Sequence, residues 1–91
     1  MRERRVIRLY ISGATPRSTR AVEALKALAE ELGESCEVEI IDVYQQAARA
    51  RQDNVLVTPT LIERSRGAVR RLVGDLSDSR RLRAALGLAK V

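Results

Sequence analysis

The sequence has no histidine, phenylalanine or tryptophan, and it has only one cysteine and two prolines. Without histidine, Ser-His-Asp and Cys-His catalysis are excluded, as are imidazole acid–base chemistry and histidine-based metal sites. A single thiol, Cys36, makes no internal disulfide, no Cys-x-x-Cys pair and no thiolate zinc cage. No apolar run approaches the roughly 18 residues of a membrane span. The basic start, Met1 to Arg5, runs into a short strand-like segment instead of a long apolar signal core. These absences lead us to expect a cytoplasmic protein with no catalytic role, no cofactor and no membrane association. Two tyrosines are the whole aromatic complement, so the core is expected to be aliphatic.

What is present suits one small domain over residues 1–91, with 45% hydrophobic residues. Arginine supplies 15 of the 17 basic side chains, and 12 acidic ones leave a net charge of +5. The excess is uneven: residues 1–45 hold 7 basic and 8 acidic groups, residues 46–91 hold 10 and 4.

Ile7, Leu9 and Ile11 alternate with Val6, Arg8 and Tyr10, the period of a strand. Thr15-Pro16 then suits a helix start, a side-chain cap followed by a proline where no amide hydrogen bond is lost; Ser18 is a competing cap. Val22, Leu25, Leu28, Ala29 and Leu32 recur at helical spacing up to Gly33. Cys36, Val38 and Ile40 alternate again, which closes a βαβ unit with parallel strands. Tyr44 to Gln52 predicts a short helix docking through Tyr44, Ala47 and Ala48. Leu61-Ile62-Glu63 and Ala68 to Val73 predict an antiparallel hairpin across an Arg64–Gly67 turn. Gly74-Asp75 ends it, and Asp75 or Ser77 can cap a last helix carrying Leu82, Ala85, Leu86 and Ala89.

The order βαβαββα is that of the thioredoxin-like fold, an α/β arrangement with a four-stranded mixed sheet and helices on both faces. The place of a reactive thiol pair, after the first strand, holds Ser12-Gly13-Ala14-Thr15-Pro16, so disulfide exchange is excluded. Cys36 reads as a packing residue. In this fold a proline entering the third strand is usually cis, which we expect of Pro59; an ordinary strand-entry proline is the plainer reading. Asp75 and Asp78 could suggest a metal loop, but a tight turn and an N-cap explain Gly74, Asp75 and Ser77 without an ion. Arg64, Arg66, Arg70, Arg71, Arg80, Arg81 and Arg83 read first as a solvated face, then as a surface for an acidic protein. Nucleic acid ranks last, because no aromatic stacking platform follows Tyr44.

Leu9-Tyr10-Ile11-Ser12-Gly13, Thr15-Pro16, Ser18, Arg20-Ala21, Ile41-Asp42-Val43, Thr58-Pro59-Thr60-Leu61 and Val73-Gly74-Asp75-Leu76-Ser77-Asp78 resemble the KaiB family of circadian clock proteins. The resemblance runs from about Arg5 to Leu88; the N-terminal sensor domain of the histidine kinase SasA is similar too. A chain starting at Met1 is expected to be free-standing and not fused to a kinase. The resemblance implies a non-catalytic adaptor that docks on a KaiC-type ATPase ring, with a KaiA-like protein or a histidine kinase as further partners. It also implies metamorphism between a tetrameric ground state, βαββααβ, and a thioredoxin-like monomer that binds.

Contact residues expected from it are Arg20 and Arg49 for charge, Asp42 and Asn54 for hydrogen bonds and Tyr44 as an aromatic anchor. Each has a plainer reading, Arg20 as a solvated helix residue and Tyr44 as core. The chain departs from the family pattern where the two forms differ. Arg64-Ser65-Arg66-Gly67-Ala68 replaces a proline-rich run, Asn54 replaces a lysine, and Gly87-Leu88-Ala89 replaces Gly-Leu-Asp. The ground state needs strands at Ala47–Gln52 and about 84–89, where Ala, Arg, Gln and Leu prefer helix by a few tenths of a kcal/mol per residue. We therefore expect the thioredoxin-like form to dominate. The alternative function is a redox-inactive thioredoxin-like sensor domain for a kinase or another protein.

Overall fold

The computed structural model describes residues 4–88. Strand β1 (Arg5–Ile11) leads to helix α1 (Pro16–Leu32), a 3-10 turn (Gly33–Ser35) and strand β2 (Cys36–Asp42). Helix α2 (Ala47–Gln52), strands β3 (Thr60–Ser65) and β4 (Ala68–Val73), and helix α3 (Ser79–Ala85) complete it. The sheet order is β2-β1-β3-β4. β1 runs parallel to β2, with Leu9 beside Ile40, and antiparallel to β3, with Leu9 beside Leu61. β3 and β4 form the antiparallel hairpin. This is the thioredoxin-like order; a strand after β4 is absent among the described residues, and α3 stands there instead.

The period of two along β1 divides the interior. Ile7 and Leu9 join Leu61, the α1 residues Ala21, Leu25 and Leu28, and Leu76, Leu82 and Leu86 on one face. Tyr10 joins Ile41, Ile62 and the α2 residue Ala50 on the other. Helices thus cover both faces. Cys36 packs in the first cluster, and its burial pushes the thiol pKa up, against reactivity. No helix among the described residues is long and apolar enough to cross a membrane.

Several local expectations change. The core is not wholly aliphatic: Tyr10, on the polar side of the β1 alternation, is fully buried because α2 covers that face. Helix α2 starts at Ala47, not Tyr44, and it docks through Ala50; Ala47 and Ala48 are exposed. Thr15 is the α1 cap and accepts the Ser18 amide at 3.2 Å, while Ser18 is buried and accepts the Ser12 amide. Asp78, not Asp75 or Ser77, caps α3 by accepting from the Arg80 and Arg81 amides. Asp75 instead accepts from the Ser77 amide and hydroxyl, bonds that hold its carboxyl below the usual carboxylate range. Ala89, expected on the last helix, lies outside the described residues. The hairpin turn narrows to Arg66-Gly67, both at positive φ (53° and 77°), the geometry of a two-residue connection whose twist matches the strands.

Candidate docking surface at the second helix

The end of the sheet that could carry chemistry in this fold is closed with hydroxyls. Ser12 Oγ lies 2.5 Å from Thr58 Oγ1, and Thr58-Pro59 is a cis peptide, as expected for Pro59. Cys36 sits at the opposite end, where β2 begins. Among the described residues, no group of three or more His, Cys, Asp or Glu could hold a metal. What the described residues present at this end is contact surface.

That surface is built on one side chain that sequence reasoning missed. Asp53 follows α2 directly and is only 9% exposed. Its Oδ2 accepts from the Tyr10 hydroxyl at 2.5 Å and from Arg8 Nη1 at 3.3 Å; its Oδ1 accepts from Arg64 Nη2 at 3.2 Å. Arg71 donates to its backbone carbonyl at 2.5 Å. Burial alone would raise the Asp53 pKa, yet hydrogen bonds from Tyr10, Arg64 and Arg8 outweigh it and hold the carboxyl below its usual range. Burial, then the bond to Asp53, pushes the Tyr10 phenol up. The only signal in the sequence was composition: Asp53 and Glu63 are the two acids between Arg49 and Arg64, in an arginine-rich half of the chain.

Around this anchor the chain exposes apolar side chains. Tyr44 is 78% exposed, Leu56 92% and Val57 56%. Ser12, Val43, Ala50, Val55, Leu56, Val57 and Thr58 line a cavity of about 160 Å³ between α2 and the segment leading to Pro59. Tyr44 is thus displayed and not core, because the Asp42 carboxylate accepts its amide at 2.9 Å and turns the chain outward. Arg49 is committed to a bidentate pair with Glu39, at 2.5 and 2.8 Å, and the pair holds Glu39 below its usual pKa. Asn54 adopts positive φ (54°) and is exposed, with its carbonyl accepting from Arg71. Asp42, Tyr44, Arg49 and Asn54 therefore gather about α2.

Arg20 stands apart, on α1 across the sheet, beside Glu23, Ala24 and Ser77. Gly74, at φ 100°, and Asp75 shape the turn into the last helix there. The seven arginines from Arg64 to Arg83 do not form one patch. Arg64 and Arg71 serve Asp53, Arg81 donates to the Val73 and Asp75 carbonyls, and Arg83 pairs with Glu31.

The class of protein defined here is a thioredoxin-like domain with Ser12 and Thr58 hydroxyls at the end of β1 and apolar side chains displayed beside them. The comparisons narrow the class. Residues 8–88 match the KaiB domain. The circadian clock protein KaiB3 of Synechocystis is 38% identical over 84 residues, 91% of this chain and 82% of its own. The chain belongs to the KaiB family. Among solved structures, the N-terminal domain of Synechococcus elongatus SasA superposes with a TM-score of 0.73 at 22% identity, covering 96% of this chain and 87% of that one. Fasciola hepatica thioredoxin does so with 0.79 at 21% identity, covering 92% and 79%. Both structures attest the fold.

Proposed function

We propose that this chain is a non-catalytic KaiB-type adaptor of the cytoplasm that docks on a KaiC-type ATPase ring through the surface about α2. The observation that carries the reading is the display of Tyr44, Leu56 and Val57 around a shallow cavity, on a framework fixed by Asp53. Exposed apolar anchors rimmed by polar groups are how transient interfaces gain affinity. A KaiA-like protein or a histidine kinase would be the further partner. The thioredoxin-like form is the resting and binding one, a monomer, and the tetrameric rearrangement is disfavoured by the helix formers at Ala47–Gln52 and 84–88.

The test is size-exclusion with a KaiC-type ATPase in its ATP and ADP states. A complex should form in at least one nucleotide state, and Leu56→Ser should weaken it by about tenfold or more. Absence of a complex in both states would remove the reading. The likeness to the SasA domain favours the second reading, a redox-inactive interaction domain for a kinase. Binding to an isolated kinase with none to the ATPase would establish that instead.

A further inference from the structure

At the end of the sheet away from α2, a cavity of about 350 Å³ is lined by Arg5, Leu32, Ser35, Ser65, Arg66 and Arg70. Two of its arginines, Arg5 and Arg70, stand beside an unusual side chain. Glu63, on the inner strand β3, is fully buried, and neither carboxylate oxygen has a hydrogen-bond partner among the described residues. Its nearest charges are Arg5 Nε at 3.6 Å and Arg70 Nε at 4.0 Å. Register explains the grouping, since Glu63 pairs directly with Arg70 across the hairpin and with Ile7, two residues along β1 from Arg5.

The two guanidinium groups are also held from the side. Arg5 Nη1 donates to the Leu86 carbonyl at 2.6 Å, and Arg70 Nη1 to the Ala85 carbonyl at 3.4 Å. Each therefore has one edge toward the buried carboxylate and one nitrogen on the end of α3. The Nη2 groups of both make no hydrogen bond among the described residues, nor do the Arg66 guanidinium and the Ser65 hydroxyl, all of them on cavity-lining residues. Arg70 lies close over Gly87, where a side chain would meet its Nη1 at 2.8 Å. The three lining arginines, with the one buried carboxylate beside two of them, leave a net charge of two positive units.

We infer that this cavity is an anion site that takes a phosphate monoester, the Arg5, Arg66 and Arg70 guanidinium groups and the Ser65 hydroxyl closing on the phosphoryl oxygens. The net charge matches a dianion, and planar guanidinium groups suit phosphoryl oxygens. Buried Glu63 orders two of the three arginines before the ligand arrives, which lowers the cost of binding. At about 350 Å³ the cavity lies near the lower bound of small-molecule sites, with room for more than inorganic phosphate.

Titration of the 15N-labelled full chain with inorganic phosphate, ribose 5-phosphate and AMP, at constant ionic strength, tests this and separates the sources of the phosphoryl group. Saturable shifts at the amides of Arg5, Ser35, Ser65, Arg66 and Arg70 with at least one probe are expected. Arg66→Gln should weaken binding by about tenfold, whereas Arg80→Ala, at the start of α3, should not change it. If Arg66→Gln disturbs the turn, Ser65→Ala gives the same reading at about half that loss or more. Shifts of equal size at Arg80 and Arg81, linear dependence on anion concentration, or unchanged affinity in both variants would overturn the assignment.

Discussion

Asp53 shows how much one side chain can organise in a chain of this size. Three donors converge on its carboxylate, and a fourth takes its carbonyl. Asp53→Ala leaves the buried Tyr10 hydroxyl with only the Arg49 carbonyl at 3.3 Å and takes the carboxylate from between the Arg8 and Arg64 guanidinium groups, which should cost about 3 kcal/mol in urea unfolding. Tyr10→Phe removes one donor and should cost about 1 kcal/mol. The pH dependence has a definite sign. The folded Asp53 pKa is lowered, so its contribution is present above the unfolded value of about 4 and is lost as pH falls through the folded value. The stability gap between wild type and Asp53→Asn should therefore be full at pH 6 and should narrow below pH 4. A gap that stays constant to pH 2 would show that the carboxylate charge is not what holds this cluster.

At the scale of elements, the seven residues of α3 are too few to persist alone, so the helix depends on its cap and on Leu82 and Leu86 packing against α1. Asp78→Ala should lower stability by about 1 kcal/mol and speed hydrogen exchange at the Arg80 and Arg81 amides before the rest of the chain. The long elements were legible beforehand because their signals are local and repeated: alternation along β1 and β2, helical spacing in α1, and Thr15-Pro16 at its start. The errors fall where tertiary contact decides. Nothing local separates Asp78 from Asp75 or Ser77 as a cap, since all three side chains can accept an amide. Ala50 and not Ala47 or Ala48 docks α2, because the partners are Tyr10, Ile41 and Ile62 from three strands. The candidate surface was half legible as a placement: Asp42, Tyr44, Arg49 and Asn54 lie about α2, while Leu56, Val57 and Asp53 gave no local signal in the sequence. An exposed Leu56 looks like core in sequence, and a buried Asp53 looks like surface.

Across the whole molecule, the proposed preference for the thioredoxin-like form over a rearranged one turns on the hairpin. In the thioredoxin-like form Arg66 and Gly67 both hold positive φ, and β4 exists only as the return of that turn. Its outer position is weakly held: Val69 and Val73 remain exposed because the short α2 covers the inner strands and not the edge. Proline fixes φ near −65°, so Arg66→Pro cannot be accommodated where φ is 53°. The strain, on the order of 1–3 kcal/mol, bears on β3–β4 pairing and spares the βαβ half. If the alternative arrangement lies only a few kcal/mol above the observed one, Arg66→Pro should populate it. The expected result is a second set of NMR resonances with extended-strand shifts at 84–88, together with a larger species in size-exclusion. A variant that remains monomeric and simply unfolds at lower urea would show that this chain has one accessible fold, with the helix formers of its second half having closed the other route.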